Sequence, residues 1–300
     1  MYWVNNSRGA WSVSRRTPLR LNGFGEQQME TMQKALYVFC FARSNYLREL
    51  EGAGVDRRHP LSVFRRFPNP CAVLSEVHLE DFCGEAAELR MRDLAWVGPR
   101  ALQHEAVVEH VMRHSPVLPV RFGTLFSSQE RLAEFLDKHG AVISEFLERI
   151  ADQEEWSVRG LLDRRQAGHA LTSASLAAQQ AQLAALPPGR RYFAEQQIRA
   201  GTEKELSLWL EETRWQVTRN LMEQASDYCE CPGAPREPPE SGIEVVLNCA
   251  YLLPKSATVA FQARIDELNT QHAPNGLVFQ LSGPWPPYRF VPPLSMGVAR

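Results

Sequence analysis

Lysine is nearly absent from this chain. Of 33 basic residues only four are lysines, at positions 34, 138, 204 and 255, and 35 acidic residues bring the formal net charge to −2. That balance argues against the strongly basic field by which nucleic-acid and membrane-surface binders attract their partners, and leaves room only for local patches. The arginines are scattered along the chain, so a bias in coding composition accounts for them better than phosphate recognition does. Long apolar runs are also missing. The longest, Ala35–Ala42, has eight residues, far short of the roughly 20 that span a bilayer. No apolar stretch of leader length follows the N-terminal arginines, so no secretory signal is expected. The six cysteines, at 40, 71, 83, 229, 231 and 249, form no CxxC pair. A reducing cytoplasm without a disulfide framework is the expectation. There is no GxxxxGK[ST], no GxSxG and no HExxH, which removes the motif-borne routes to nucleotide, acyl and zinc-protease chemistry. Gly23-Phe24-Gly25 opens a dinucleotide-like pattern, but its later glycine and preceding strand are lacking.

What is present is globular: 300 residues, 44% hydrophobic and 23% charged, enough for two domains of ordinary size. Residues 1–30, with Arg8, Arg15, Arg16 and Arg20 ahead of the first acid, Glu26, read as a basic flexible extension. An N-terminal α+β domain is expected over 31–115 and a second domain over 116–300. In the first, strands are expected at Ala35–Ala42, Ser62–Phe67 and Ala72–Val77, with a short helix at Asp81–Leu89. A further helix is expected to open at Gly98-Pro99 and run to about His114. In the second, Val117–Phe122 reads as a strand and Ser127 or Ser128 as the cap of a helix to about Ala151. Strands follow at Glu154–Leu161, Glu244–Leu253 and Leu277–Leu281, with a helix at Ala257–Gln271. Counted in order, these give β-α-β, β-α-β, the split βαβ or ferredoxin-like arrangement. The expected fold class is therefore α+β, two domains, the C-terminal one a ferredoxin-like sheet with a long helical insertion at about 162–242. In that insertion, Arg190–Tyr228 reads as one helix whose apolar residues, Trp209 and Trp215 among them, exceed a single stripe.

One stretch departs from generic core. Val117-Leu118-Pro119-Val120-Arg121-Phe122-Gly123-Thr124-Leu125-Phe126 is apolar enough for a buried strand, yet carries a proline, an arginine and a glycine. Proline withdraws a ladder donor, a buried charge needs a partner, and glycine marks a bend or a close backbone approach. The extended segment HSPVLPVRFGTLF at 114–126 resembles the central signature of the GvpL/GvpF family of gas vesicle proteins. Three further segments agree in order. Ala35-Leu36-Tyr37-Val38-Phe39 is similar to the family's opening strand, and Glu155-Trp156-Ser157-Val158 to its Glu-Trp strand. Val246–Leu253 followed by Gly283-Pro284-Trp285-Pro286-Pro287-Tyr288 resembles its C-terminal signature. The resemblance covers about residues 33–290.

The resemblance implies a non-enzymatic accessory protein of gas vesicle assembly, cytoplasmic and associated with the gas vesicle. It would bind the hydrophobic shell protein, as minor component or assembly factor, and other accessory proteins. No nucleic acid, membrane, cofactor or metal is implied, and no catalytic residue. The residues of interest are structural or partner-binding: Arg121, Gly123 and Thr124 at the bend, Glu155 and Trp156 on a strand, and Trp285 and Tyr288 on the stiff proline frame, where prolines leave little entropy to lose. For that frame, docking onto the protein's own core competes with serving as a ligand for a partner's groove. Two rival readings are kept. One is a ferredoxin-like RNA-binding module, suggested by the arginines and the fold, which lacks a clear aromatic stacking signature on the central strands although Tyr251 is present. The other is a metal-dependent enzyme centred on His104, Glu105 and Arg121, with His110 and His114 one helical turn apart.

Overall fold

A computed structural model describes residues 3–5, 11–13, 34–45, 47, 50–68, 70–231 and 242–294. The chain divides into two compact units, one holding Trp11–Glu154 and the tail from Trp285, the other Glu155–Pro284. The division between these units falls at 154/155. Of the extension, β1 (Trp3–Asn5) and β2 (Trp11–Val13) pair antiparallel; its other residues, and with them its expected flexibility, lie outside the described residues.

The N-terminal unit is built on β3 (Lys34–Ala42). Its neighbours are β4 (Leu61–Phe64), β5 (Cys71–His78), β6 (Val117–Pro119) and β7 (Leu125–Phe126), in the order β4-β5-β3-β6, with β7 also on β3. All four ladders are antiparallel. The helices are α1 (Leu79–Phe82), α2 (Glu85–Arg90), α3 (Leu94–Met112) and α4 (Gln129–Arg149). Eight of the nine β3 residues are buried, because the strand is covered on both faces, and this is why its sequence runs apolar without alternating. A bulge between Val38 and Cys40 shifts the register. Tyr37 and Phe39 meet His104 of α3, whereas Phe41 stacks on Phe135 of α4.

Three expectations are corrected here. Val117–Phe122 was expected to open the C-terminal sheet; instead β6 pairs with β3, and only 117–119 are strand. An apolar run of this length says that a strand is buried, not which strand it pairs with. The helix expected from Gly98 starts at Leu94, because Asp93 is a working N-cap that accepts from the Ala95 amide, and Pro99 lies inside it. The expected 81–89 helix is split into α1 and α2 by Cys83 and Gly84. Ser128 caps α4 as expected, accepting from the Arg131 amide at 3.4 Å.

The C-terminal unit contains β8 (Gln153–Asp163), α5 (Arg164–Ala178), α6 (Gln180–Ala184), α7 (Pro188–Met222), β9 (Asp227–Glu230), β10 (Ile243–Pro254), α8 (Thr258–His272) and β11 (Leu277–Trp285). Its sheet runs β11-β8-β10-β9. β9 was missed: the long helix was expected to continue to Tyr228, yet four polar-edged residues pair antiparallel with β10, Tyr228 opposite Tyr251. The core joins Trp156, Val158 and Leu162 of β8, Cys249, Tyr251 and Leu253 of β10, and Phe261 and Ile265 of α8 with Leu206, Val217 and Leu221 of α7. Gly283 sits at φ +146, and a Cβ there would lie 2.9 Å from the Glu155 carbonyl and 3.0 Å from the Trp156 ring. The Glu-Trp strand and the glycine of the proline frame are thus packed against each other, backbone to ring.

β11 is a sheet edge, and Asn269 of α8 guards it. Its amide Nδ2 donates to the Phe279 carbonyl at 3.0 Å, and its Oδ1 accepts from the Phe279 N–H at 2.7 Å. One side chain satisfies the backbone pair that an added strand would use. Asn269→Ala is expected to cost about 2 kcal/mol and to raise self-association, read by unfolding midpoint and light scattering; an unchanged midpoint would remove this role.

Candidate functional site

The excursion between β6 and β7 organises a buried polar cluster of the N-terminal unit. Both short strands pair with β3, and residues 120–124 loop out between them. The loop is pinned at either end, by the Val120 amide on the Phe39 carbonyl (3.1 Å) and by the Val38 amide on the Thr124 carbonyl (3.0 Å). Pro119 is tolerated because β6 is at the sheet edge. Gly123, at φ +83, makes the bend, and its amide donates to Tyr37 Oη at 3.2 Å. Thr124 closes it, with Oγ1 donating to the Arg121 carbonyl at 2.7 Å.

His104 reaches this loop from α3 and is 1% exposed. Its Nδ1 lies 2.8 Å from Tyr37 Oη, and its Nε2 3.1 Å from both the Val120 carbonyl and Tyr288 Oη. Tyr288 Oη in turn donates to Glu105 Oε1 at 2.9 Å. A carbonyl can only accept, so the ring proton belongs on Nε2 and Nδ1 accepts. The direction of every bond follows: Gly123 N–H to Tyr37, Tyr37 O–H to His104 Nδ1, His104 Nε2–H shared between the Val120 carbonyl and Tyr288 Oη, and Tyr288 O–H to Glu105. Burial pulls the His104 pKa down to about 4, with the Val120 bond opposing. Burial raises Glu105 above the usual carboxylate range, opposed by the Tyr288 bond and aided by Glu109. Burial likewise pushes both tyrosines up.

Both ring nitrogens of His104 are engaged, which leaves no lone pair for a substrate, and the Arg121 side chain is exposed, contributing only its carbonyl to the turn. The trio His104, Glu105 and Arg121 is therefore not gathered into one reactive centre. His110 and His114 touch edge to face at 5.3 Å, and among the described residues no three potential metal ligands converge. What the cluster does is tie β3, α3, the 120–124 loop and the C-terminal tail together. Phe290 of the tail is buried, and its carbonyl accepts from Arg149 Nη2 at 2.9 Å. Tyr288 thus docks on the protein's own core. Tyr37, the centre of the cluster, was not singled out from sequence; a tyrosine inside an otherwise apolar run is the signal that could have found it, since a buried hydroxyl needs partners.

Of the remaining residues of interest, Glu155 and Trp156 are buried on β8, and Trp285 keeps 42% exposure. In the C-terminal unit, α7 exposes Tyr192, Phe193, Leu208, Trp215 and Met222. A groove of about 720 Å³ runs beside it, lined by Arg214, Trp215, Arg219 and Met222 and by Tyr228 and Glu230 of β9. No helix among the described residues is long and apolar enough to cross a membrane.

The family profile described as gas vesicle synthesis protein GvpL/GvpF matches residues 35–292. The chain belongs to the GvpL/GvpF family. Among its relatives, gas vesicle protein F of Streptomyces sp. (strain CB03234) is 27% identical over 264 residues, covering 85% of this chain and 98% of that one. Gas vesicle protein L of the same strain is 25% identical over 227 residues, 73% and 79% of the two chains. In fold, this GvpL/GvpF member is similar to crystal structures of GvpF from Anabaena sp. PCC7120 (TM-score 0.60, 19% identity, 87% of this chain and 97% of that one) and from Microcystis aeruginosa (TM-score 0.58, 17% identity, 86% and 99%).

Proposed function

We propose that this GvpL/GvpF member is a non-enzymatic, cytoplasmic accessory protein of gas vesicle assembly that binds the hydrophobic shell protein. The observation that carries the reading is the family match across 35–292, reinforced by relatives named gas vesicle protein F and L. The physical task fits. Subunits of an apolar shell expose hydrophobic surface before they assemble, and a folded protein that covers it suppresses aggregation. In this reading each compact unit is a domain and the C-terminal one is ferredoxin-like, supported by the strand order β11-β8-β10-β9 with helices after β8 and β10. The first strand of that split βαβ is then β8 and the second β9. The RNA-binding alternative is disfavoured because Tyr251 is fully buried against Tyr228 and Phe261.

The guarded β11 edge is a poor docking strand, so the shell contact is assigned to the start of α7. Tyr192 and Phe193 are 59% and 70% exposed there, edge to face at 5.9 Å, and aromatics are favoured interface anchors. Capture of purified shell protein tests this. The wild type is expected to retain it, and Tyr192→Ser with Phe193→Ser to weaken retention about tenfold. Trp285→Ala is run alongside as a further exposed aromatic. Unchanged capture by the serine pair removes this surface; no capture by the wild type removes the reading.

A further inference from the structure

We propose that the C-terminal half of α7 is the seam of a homodimer, in which two copies of this chain pack antiparallel about a two-fold axis through Trp215. The inference does not depend on the shell-binding reading and uses a different stretch of the helix. Leu208, Trp215 and Met222 are 58%, 57% and 45% exposed. They recur every seven residues, so on a helix they lie within about 20° of one line along about 21 Å. The opposite face, with Leu206, Thr213, Val217 and Leu221, is buried in the unit's own core. An apolar row of this length on a helix already anchored behind is a seam without its partner.

The charges beside the row say what the partner is. Arg214 is taken by Glu230 at 3.0 Å and Glu212 by Gln216 at 2.6 Å. Glu211 and Arg219 keep no ion-pair partner among the described residues, and the Arg219 guanidinium lies over the Trp215 ring at 5.3 Å. They stand four residues before and four after Trp215. Rotating a copy about Trp215 therefore sets Glu211 against Arg219 of the second copy, twice, and Leu208 against Met222, twice. A two-fold contact must be complementary to itself, and this one is. Parallel packing would oppose Glu211 to Glu211 and Arg219 to Arg219, so the charges also specify direction. Trp and Arg are the side chains that most often anchor such contacts. A single pair of crossing helices, even with the groove rim of β9 included, is a small interface.

Sedimentation velocity on the full chain tests the proposal. The wild type is expected to pass from monomer to dimer with a Kd on the order of 10–100 µM. Trp215→Ser abolishes the dimer while leaving the circular dichroism unchanged, because the residue is exposed. Glu211→Arg or Arg219→Glu alone opposes like charges twice and weakens association about tenfold. The double exchange Glu211→Arg with Arg219→Glu restores it to within about threefold. An equimolar mixture of the two single variants pairs better than either alone, because every contact between the two is then opposite in sign. A wild type that stays monomeric over that range overturns the proposal and leaves the face to a different partner. So does a double exchange, or a mixture, that fails to recover association.

Discussion

His104→Leu is expected to cost the N-terminal unit about 3–4 kcal/mol. The substitution keeps an apolar side chain of similar bulk in place, so the loss is one of hydrogen bonding rather than volume. It strands two groups. The Tyr37 hydroxyl, fully buried, loses the nitrogen it donates to, and the Val120 carbonyl loses its Nε2 donor. Each buried orphan costs roughly 1–3 kcal/mol, more than the bond itself contributes net. Tyr288→Phe removes only the tail's link to Glu105 and His104 and is expected to cost about 1–2 kcal/mol, felt as faster amide exchange in 285–294. Hydrogen exchange in β3 and α3 reads the His104 effect locally, which avoids treating a chain of two compact units as one cooperative transition. The double variant His104→Leu with Tyr37→Phe should cost less than the sum of the singles by about 1–2 kcal/mol, since it removes donor and acceptor together. Additive singles would mean that the two groups do not act as a unit.

That cluster also measures how far the sequence could be read. The irregular run at 117–126 announced a specified geometry, and the bend at Gly123-Thr124 is where the chain turns. What the run could not reveal is that its two ends pair with one and the same strand, because hydrophobic periodicity reports burial and not partnership. The consequence was a miscounted sheet. Taking 117–122 into that sheet brought in a strand that pairs with β3 instead, and a strand that does belong to it, Asp227–Glu230, went unnoticed. That strand is short, lies at an edge and carries charge at both ends, so nothing in it competes with the helical pattern that precedes it. The expected sheet had four strands, and the sheet of the C-terminal unit has four, β11-β8-β10-β9, of which 117–122 is not one. His104 shows the same limit from the other side. A histidine on an apolar helical stripe suggests either a ligand or a satisfied core residue, and only the positions of Tyr37 and Tyr288, 67 and 184 residues away in sequence, decide for the second. Gly283 went unremarked beside its prolines, although its missing Cβ is what lets Trp156 and the Glu155 carbonyl approach.

Acidification should weaken the N-terminal unit through His104. Its pKa is about 4 in the folded chain, lowered by burial, against about 6.5 when unfolded. Between those values the unfolded chain binds a proton that the folded one refuses, so stability rises with pH across the window. The contribution is complete above about pH 6.5 and is lost as the pH falls towards 4, by about 3 kcal/mol in all. The structural reason is the ordered chain of donors. A second ring proton on Nδ1 faces the Tyr37 hydroxyl, which must turn its own hydrogen away into a site that offers it no other acceptor among the described residues. Glu105 works in the opposite sense: its raised pKa gives stability that is present below about 4.5 and lost as the pH rises through the folded value. Glu105 is common to the wild type and to His104→Gln, so the difference between their pH profiles isolates the histidine. That difference should narrow by about 3 kcal/mol from pH 7 to pH 4 as the wild type loses its advantage. The ring resonances of His104 should meanwhile titrate with a midpoint near 4. A midpoint near 6.5, or parallel pH profiles, would mean that the ring is not held neutral between Tyr37 and Val120 and that the cluster does not lock the tail as argued.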